Sequence, residues 1–90
     1  MSKRQLAFKT TRTFDKSFPA LPLHIQGRTL AKLALYEKEP RHPSLRVKKL
    51  NGTTDIWEMS VTKKCRITFR REGGVVLLRN IGSHAILKKT

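Results

Sequence analysis

The order of hydrophobic patterns along this chain predicts an α+β domain: an N-terminal strand, two helices, then a four-strand antiparallel meander, with the helices packed on one face of the sheet. Three observations carry that expectation. Alternating apolar and polar residues mark the first segment and the runs after Ser44, a helical period marks the stretch between Pro22 and Pro40, and Asn51-Gly52 and Gly73-Gly74 punctuate the late apolar runs as hairpin turns do. Ninety residues are enough for one modest core, so residues 1–90 are taken as a single domain.

The first strand is expected over Gln5–Thr10, where Leu6 and Phe8 alternate with polar neighbours. A helical turn follows Thr13 around Phe14, Asp15 and Phe18, and Pro19 or Pro22 interrupts it because proline disfavours helix at the residue before it. The second helix, Leu23 to Glu39, places Leu23, Gly27, Leu30, Leu33, Ala34 and Glu37 on one side and Arg28, Lys32 and Lys38 on the other. Two prolines in EPRHPS end it. The strands are then LRVKKL, DIWEMSV, CRITFR and VVLLRNI.

Twenty Lys and Arg against six Asp and Glu give a formal charge of +14, which calls for a polyanionic partner, with nucleic acid first. No stretch approaches the roughly 20 apolar residues of a membrane span, and the basic N-terminus has no apolar signal core behind it, so a cytoplasmic location is expected. A lone cysteine, Cys65, rules out an internal disulfide and argues against a structural zinc cluster. His24 and His42 lack the spaced partners of a metal site, and neither metal nor cofactor is expected.

Side chains alternate across strands, so Trp57, Met59 and Val61 share one face and Ile56, Glu58 and Ser60 the other. In the next strand Cys65, Ile67 and Phe69 oppose Arg66, Thr68 and Arg70. One face is therefore core, with Trp57 as an anchor, and the second is expected to be open and charged, carrying Glu58, Ser60, Arg66, Thr68 and Arg70, with Arg46 and Lys48 adding a row from LRVKKL. His84 lies just past the last strand. A charged outer face also simply solvates a sheet, but a solvated face usually mixes signs, whereas here Glu58 stands among cations, as a phosphate groove requires.

RNA brings its own nucleophile, the 2′-hydroxyl, so cleavage needs in-line positioning, proton transfer and cationic stabilisation, with no obligatory metal. Arg66 is the first candidate for the phosphate, because a guanidinium fork matches two phosphate oxygens. Glu58 or His84 can exchange protons. Arg70 and Lys48 are candidate assistants; Arg46, Lys49 and Ser60 complete the expected nucleic-acid surface, and Lys63, Lys64, Lys88 and Lys89 are surface cations suited to holding a polyanion.

Taken together, HPSLRVKKLNG, DIWEMSV, CRITF with Arg66, and VVLLRNIGSH with His84 resemble the RelE/ParE superfamily of toxins from type II toxin–antitoxin systems, over nearly the whole chain. The resemblance implies a RelE-like fold and an mRNA interferase that in many members cuts messenger on the ribosome. It also implies a cognate antitoxin, which against a +14 surface should be acidic. It carries Arg66 over as the phosphate holder and His84 as an acid-base or charge-stabilising group. The chain departs from the pattern at Glu58 and Ser60, which match lysines in some ribosome-dependent members, and after His84, where AILKKT replaces the usual aromatic. The ParE branch, which poisons DNA gyrase without cutting RNA, and a non-enzymatic RNA- or ribosome-binding protein are the alternatives.

Overall fold

The computed structural model describes residues 6–50, 52–53 and 55–83. In chain order the elements are β1 (Ala7–Thr10), α1 (Arg12–Ser17), α2 (Leu23–Lys38), a 3-10 turn (Pro43–Leu45), β2 (Lys48–Lys49), β3 (Trp57–Ser60), β4 (Cys65–Glu72) and β5 (Val75–Ser83). The α+β class and the element order match the expectation. Gln5, Asn51, His84, Lys88 and Lys89 lie outside the described residues.

All strands join one sheet in the order β1-β5-β4-β3-β2. The last four form the expected antiparallel meander, but β1 adds to the far edge parallel to β5, pairing Ala7 with Val75 and Thr10 with Leu78, so the sheet is mixed. A parallel neighbour needs a crossover, and α1 and α2 begin the long connection that carries the chain from one edge to the other. β4 and β5 meet through Gly73-Gly74, and Gly73 takes φ 59°, the left-handed conformation that a two-residue hairpin turn needs and glycine adopts without steric cost.

LRVKKL is not a continuous strand. Pro43 starts a 3-10 turn that takes in Leu45, and Arg46 follows in the left-handed region (φ 49°, ψ 46°), leaving two strand residues, Lys48 and Lys49. His42 caps that turn: its Nδ1 accepts from the Ser44 N–H at 3.1 Å. The expected row of Arg46 and Lys48 along one strand edge is thus corrected, since proline removed the donor and set the turn.

α1 is capped by Thr11, whose Oγ1 accepts from the Phe14 N–H (3.2 Å) and donates to the Arg79 carbonyl (2.7 Å), so the cap also ties α1 to β5. Gln26 spans the proline turn, donating to the Leu21 carbonyl at 2.8 Å. On α2 the buried residues are Thr29 and Tyr36, flanked by half-buried Ile25 and Leu33. The expected apolar stripe is corrected: Leu23 is 83% and Leu30 60% exposed. Polar Thr29 can be buried because its hydroxyl donates to the Ile25 carbonyl at 2.8 Å, and Tyr36 because its hydroxyl accepts from Arg71 of β4 at 3.1 Å.

The core gathers Phe14, Tyr36, Leu45, Met59, Val61, Cys65, Ile67, Phe69, Val76, Leu78 and Ile81. Tyr36 meets Phe69 edge to face, with centroids 5.5 Å apart. The alternation therefore assigned Met59, Cys65, Ile67 and Phe69 to the correct side. Trp57 is only half-buried: it packs against the margin of the core, and Lys49 Nζ lies 5.2 Å from its ring centroid.

Candidate active site

The second face of the sheet departs from the expectation in one respect that governs its chemistry. Glu58, Ser60 and Thr68 are buried, at 5%, 8% and 0% exposure. The face is polar as expected, but at β3 and β4 it is not open.

Antiparallel pairing assembles the cluster. Lys48 stands opposite Glu58, Glu58 opposite Thr68, and Ser60 opposite Arg66, and residues directly opposite share a face. Lys48 Nζ lies 3.7 Å from Glu58 Oε2, and Arg66 Nε 3.6 Å from Glu58 Oε1, so one carboxylate sits between two cations, one on each neighbouring strand. Both distances are those of ion pairs and exceed a good hydrogen bond.

Arg66 is positioned by neutral acceptors. Its Nη1 donates to Ser60 Oγ at 2.6 Å and to the Thr62 carbonyl at 3.1 Å, while Ser60 Oγ donates to that same carbonyl at 3.0 Å. The turn supplying the carbonyl is itself organised by Thr62, whose Oγ1 accepts from the Lys64 and Cys65 N–H groups. Thr62 was not singled out from sequence, although a threonine heading a basic turn is a recognisable local signal. Arg66 keeps 17% of its side chain exposed, so it is held without being sealed from solvent.

The remaining candidates divide. Lys48 belongs to the cluster and is 72% exposed, free to meet a ligand. Arg70 does not belong: its Nε pairs with Asp55 Oδ2 at 3.2 Å and its Nη2 with Glu72 Oε2 at 2.8 Å, and four strand residues separate it from Arg66 by about 13 Å. Two carboxylates pair with it, and the strand pattern alone could not reveal Asp55. Lys49 lies against Trp57 on the other face. Arg46, outside the strand, borders a hollow of about 320 Å³ with Arg41, His42, Pro43 and Val47. His84 is the residue after Ser83, the last of β5, and lies outside the described residues.

Thr68 Oγ1 is buried without a hydrogen-bond partner among the described residues, so the charge of Glu58 opposite it is balanced by Lys48 and Arg66 and not by that hydroxyl. Burial raises the Cys65 thiol above its ordinary value, with neighbouring Arg66 pulling weakly the other way, which keeps this sulfur protonated and inert beside the cluster. Among the described residues no group of three His, Cys, Asp or Glu side chains is placed to hold a metal ion. No described helix is long and apolar enough to cross a membrane.

On the helical side α1, α2 and β1 enclose an apolar groove of about 520 Å³, lined among others by Phe8, Phe14, Phe18, Leu30, Leu33 and Leu78.

No family model matches the sequence, and no curated protein matches it. Solved structures do. The chain superposes on a chain of the archaeal RelE–RelB complex of Pyrococcus horikoshii OT3 with a TM-score of 0.70 at 20% identity, covering 88% of this chain and 94% of that one. A YoeB/ParE toxin from Agrobacterium tumefaciens gives a TM-score of 0.73 at 12% identity, over 88% and 99% of the two chains. The DinJ–YafQ complex of E. coli gives 0.69 at 13% identity, over 92% and 98%. The α+β fold of this chain is therefore the RelE-like fold, shared with these structures at 12 to 20% identity.

Proposed function

We propose that this chain is the toxin of a toxin–antitoxin pair and an endoribonuclease that cuts messenger RNA, on a translating ribosome, without a metal. The observation that carries the nuclease assignment is Arg66: a guanidinium fixed by Ser60 Oγ and the Thr62 carbonyl, on a side chain still 17% exposed, in a chain of formal charge +14. A donor held before substrate arrives loses little freedom on binding a phosphate, and its contact strengthens as charge builds on the phosphate oxygens.

In the reaction the 2′-oxygen forms a bond to the adjacent phosphorus and the bond to the 5′-oxygen of the next nucleotide breaks, leaving a cyclic phosphate and a free 5′-hydroxyl. The 2′-hydroxyl gives up a proton, and the 5′-oxygen takes one. His84, the residue after β5, is assigned this proton exchange; Glu58 is the rival acceptor, but its carboxylate already faces two cations at 3.6 and 3.7 Å and is 5% exposed. Arg66 and Lys48 stabilise the charge.

The partner is an acidic antitoxin that covers both the cationic face and the apolar groove, where Leu30 stands 60% exposed. The fold shared with chains solved as RelE–RelB and DinJ–YafQ complexes supports that assignment. Both partners and the site of action are placed in the cytoplasm.

Primer extension on a cellular messenger, after pulsed expression of wild type, Arg66→Ala and His84→Ala, tests the assignment. In-frame breaks with wild type that vanish in both variants are expected. Toxicity without breaks would overturn it in favour of gyrase poisoning or ribosome occlusion, and breaks retained in both variants would remove Arg66 and His84 from the chemistry.

A further inference from the structure

Glu58 presents a puzzle of sign. A site built to bind a polyanion places a carboxylate at its centre, only 5% exposed, where it opposes the ligand and bears the cost of leaving water. A charge in that position persists when it organises something else.

What it organises is visible in the pairing. β2 is two residues long and joins the sheet at two positions, Lys48 opposite Glu58 and Lys49 opposite Trp57. Each carries one side-chain tether: the Lys48–Glu58 ion pair at 3.7 Å on one face, and the Lys49 ammonium 5.2 Å from the Trp57 ring on the other. The register of this short edge strand is also held by buried Leu45 and Leu50 and by the Leu50 N–H, which donates to the Ile56 carbonyl at 2.8 Å, so what the ion pair sets is the course of the Lys48 side chain. Arg66 is independently fixed by Ser60 and Thr62, so its place does not depend on Glu58 alone, whereas Lys48 is 72% exposed on a long flexible stem.

We propose that Glu58 is a positioning residue: lodged between Lys48 and Arg66, its carboxylate draws the ammonium of the edge strand toward the fixed guanidinium, making one two-cation cradle for adjacent phosphates of an RNA strand. Without it the two cations repel and the lysine swings into water. This inference rests on the RNA-binding part of the function proposed above and assigns Glu58 no proton transfer.

The sign of one measurement separates this role from a charge count. Removing a negative charge beside a polyanion site should tighten binding; removing the organiser of the second cation should weaken it. The probe is a 2′-O-methyl single-stranded RNA oligonucleotide, which cannot be cut, bound to wild type, Glu58→Gln, Glu58→Asp, Lys48→Ala and the Glu58→Gln/Lys48→Ala double variant over a series of salt concentrations. Glu58→Gln is expected to bind about tenfold more weakly, with a salt slope smaller by nearly one phosphate contact, about 0.7 for a single strand. Lys48→Ala should give the same slope change, and the double variant should be no weaker than Lys48→Ala.

Glu58→Asp, with the charge kept on a shorter stem, should recover part of the loss. Thermal unfolding of each variant identifies any that do not fold, and if Glu58→Gln is among them the Lys48→Ala slope and the Glu58→Asp affinity decide. Equal or tighter binding by Glu58→Gln, or a double variant weakened by the full sum of both singles, overturns the positioning role while leaving RNA binding intact. A wild-type protein that binds the oligonucleotide but never cuts messenger would remove the nuclease assignment and still let the slopes judge Glu58. Failure of wild type to bind RNA at all would overturn both.

Discussion

The two faces of this domain break opposite rules. Around β3 and β4 the sheet buries polar groups, Glu58, Ser60 and Thr68, and holds Arg66 against them. Between α1, α2 and β1 the helical side does the reverse, leaving Leu30 60% exposed beside a 520 Å³ apolar groove. Polar and charged side chains mostly stay in water and large apolar ones mostly leave it; Glu58 and Ser60 offset their burial with partners, whereas Thr68 Oγ1 and the exposed Leu30 do not. The core between them, centred on Ile67, Phe69, Val76, Leu78 and Ile81, follows the ordinary rules and must carry both. The difference teaches where to look: the polar departure suits an anionic substrate and the apolar one a protein partner.

The sharpest break in that contrast is Arg66→Ala. It should reduce RNA cleavage by about a thousandfold, the scale of losing a fixed oxyanion donor, as read from single-turnover rates. It should also cost about 2 kcal/mol in urea unfolding, because Glu58 would face only Lys48. Unchanged cleavage would reduce the polar face to a solvated one.

Leu30→Lys tests the other side. Antitoxin affinity should fall by about thirtyfold, the loss of one well-packed apolar anchor, in a titration of the purified pair. Folding stability should stay within about 0.5 kcal/mol, since the side chain is already exposed. A large loss of stability with unchanged affinity would make the groove part of the core.

Trp57→Ala sits between the regions. A fully buried tryptophan would cost about 3 to 5 kcal/mol, but this half-buried ring under Lys49 should cost about 2, and RNA affinity should drop only as far as β2 loosens. Chemical denaturation with fluorescence-independent detection measures the first part, and a cost at the level of Phe69→Ala would restore Trp57 as a core anchor.

The smallest effect concerns Cys65. Burial raises its thiol in the folded chain, so the neutral form is favoured by folding. That contribution is fully present below the unfolded thiol's value and is lost as pH rises through and beyond it. Wild type should therefore lose stability in the alkaline range above about pH 8.5, and Cys65→Ala should show a flatter dependence there. Identical alkaline profiles would place the sulfur in water.

Much of this was legible in the sequence because it is local. Period-two alternation separated Met59, Ile67 and Phe69 from Glu58, Thr68 and Arg66, and the Gly73-Gly74 hairpin set the register that brings strands β4 and β5 together. The prolines of EPRHPS placed the end of α2 at Lys38 to within a residue, while the end of α1 at Ser17 was bounded only by Pro19 or Pro22. Alternation could say which residues share a face. It could not say that Arg70 would also be paired by Asp55, because that partner comes from a loop outside the strand.

α2 illustrates the same boundary. Its leucines pointed to a stripe through Leu23 and Leu30, yet the packed line runs through Ile25, Thr29, Leu33 and Tyr36, because hydrogen bonds to Ile25 and from Arg71 let two polar side chains go inside. The sequence by itself determined the fold class, the element order and the cationic character, since periodicity, turn chemistry and net charge are properties of the chain. The tertiary structure alone decided that β1 joins parallel to β5, that Arg46 leaves the strand, and that Glu58 lies buried between Lys48 and Arg66. Each of these depends on which distant segments meet, and burial and charge pairing are settled only by that meeting.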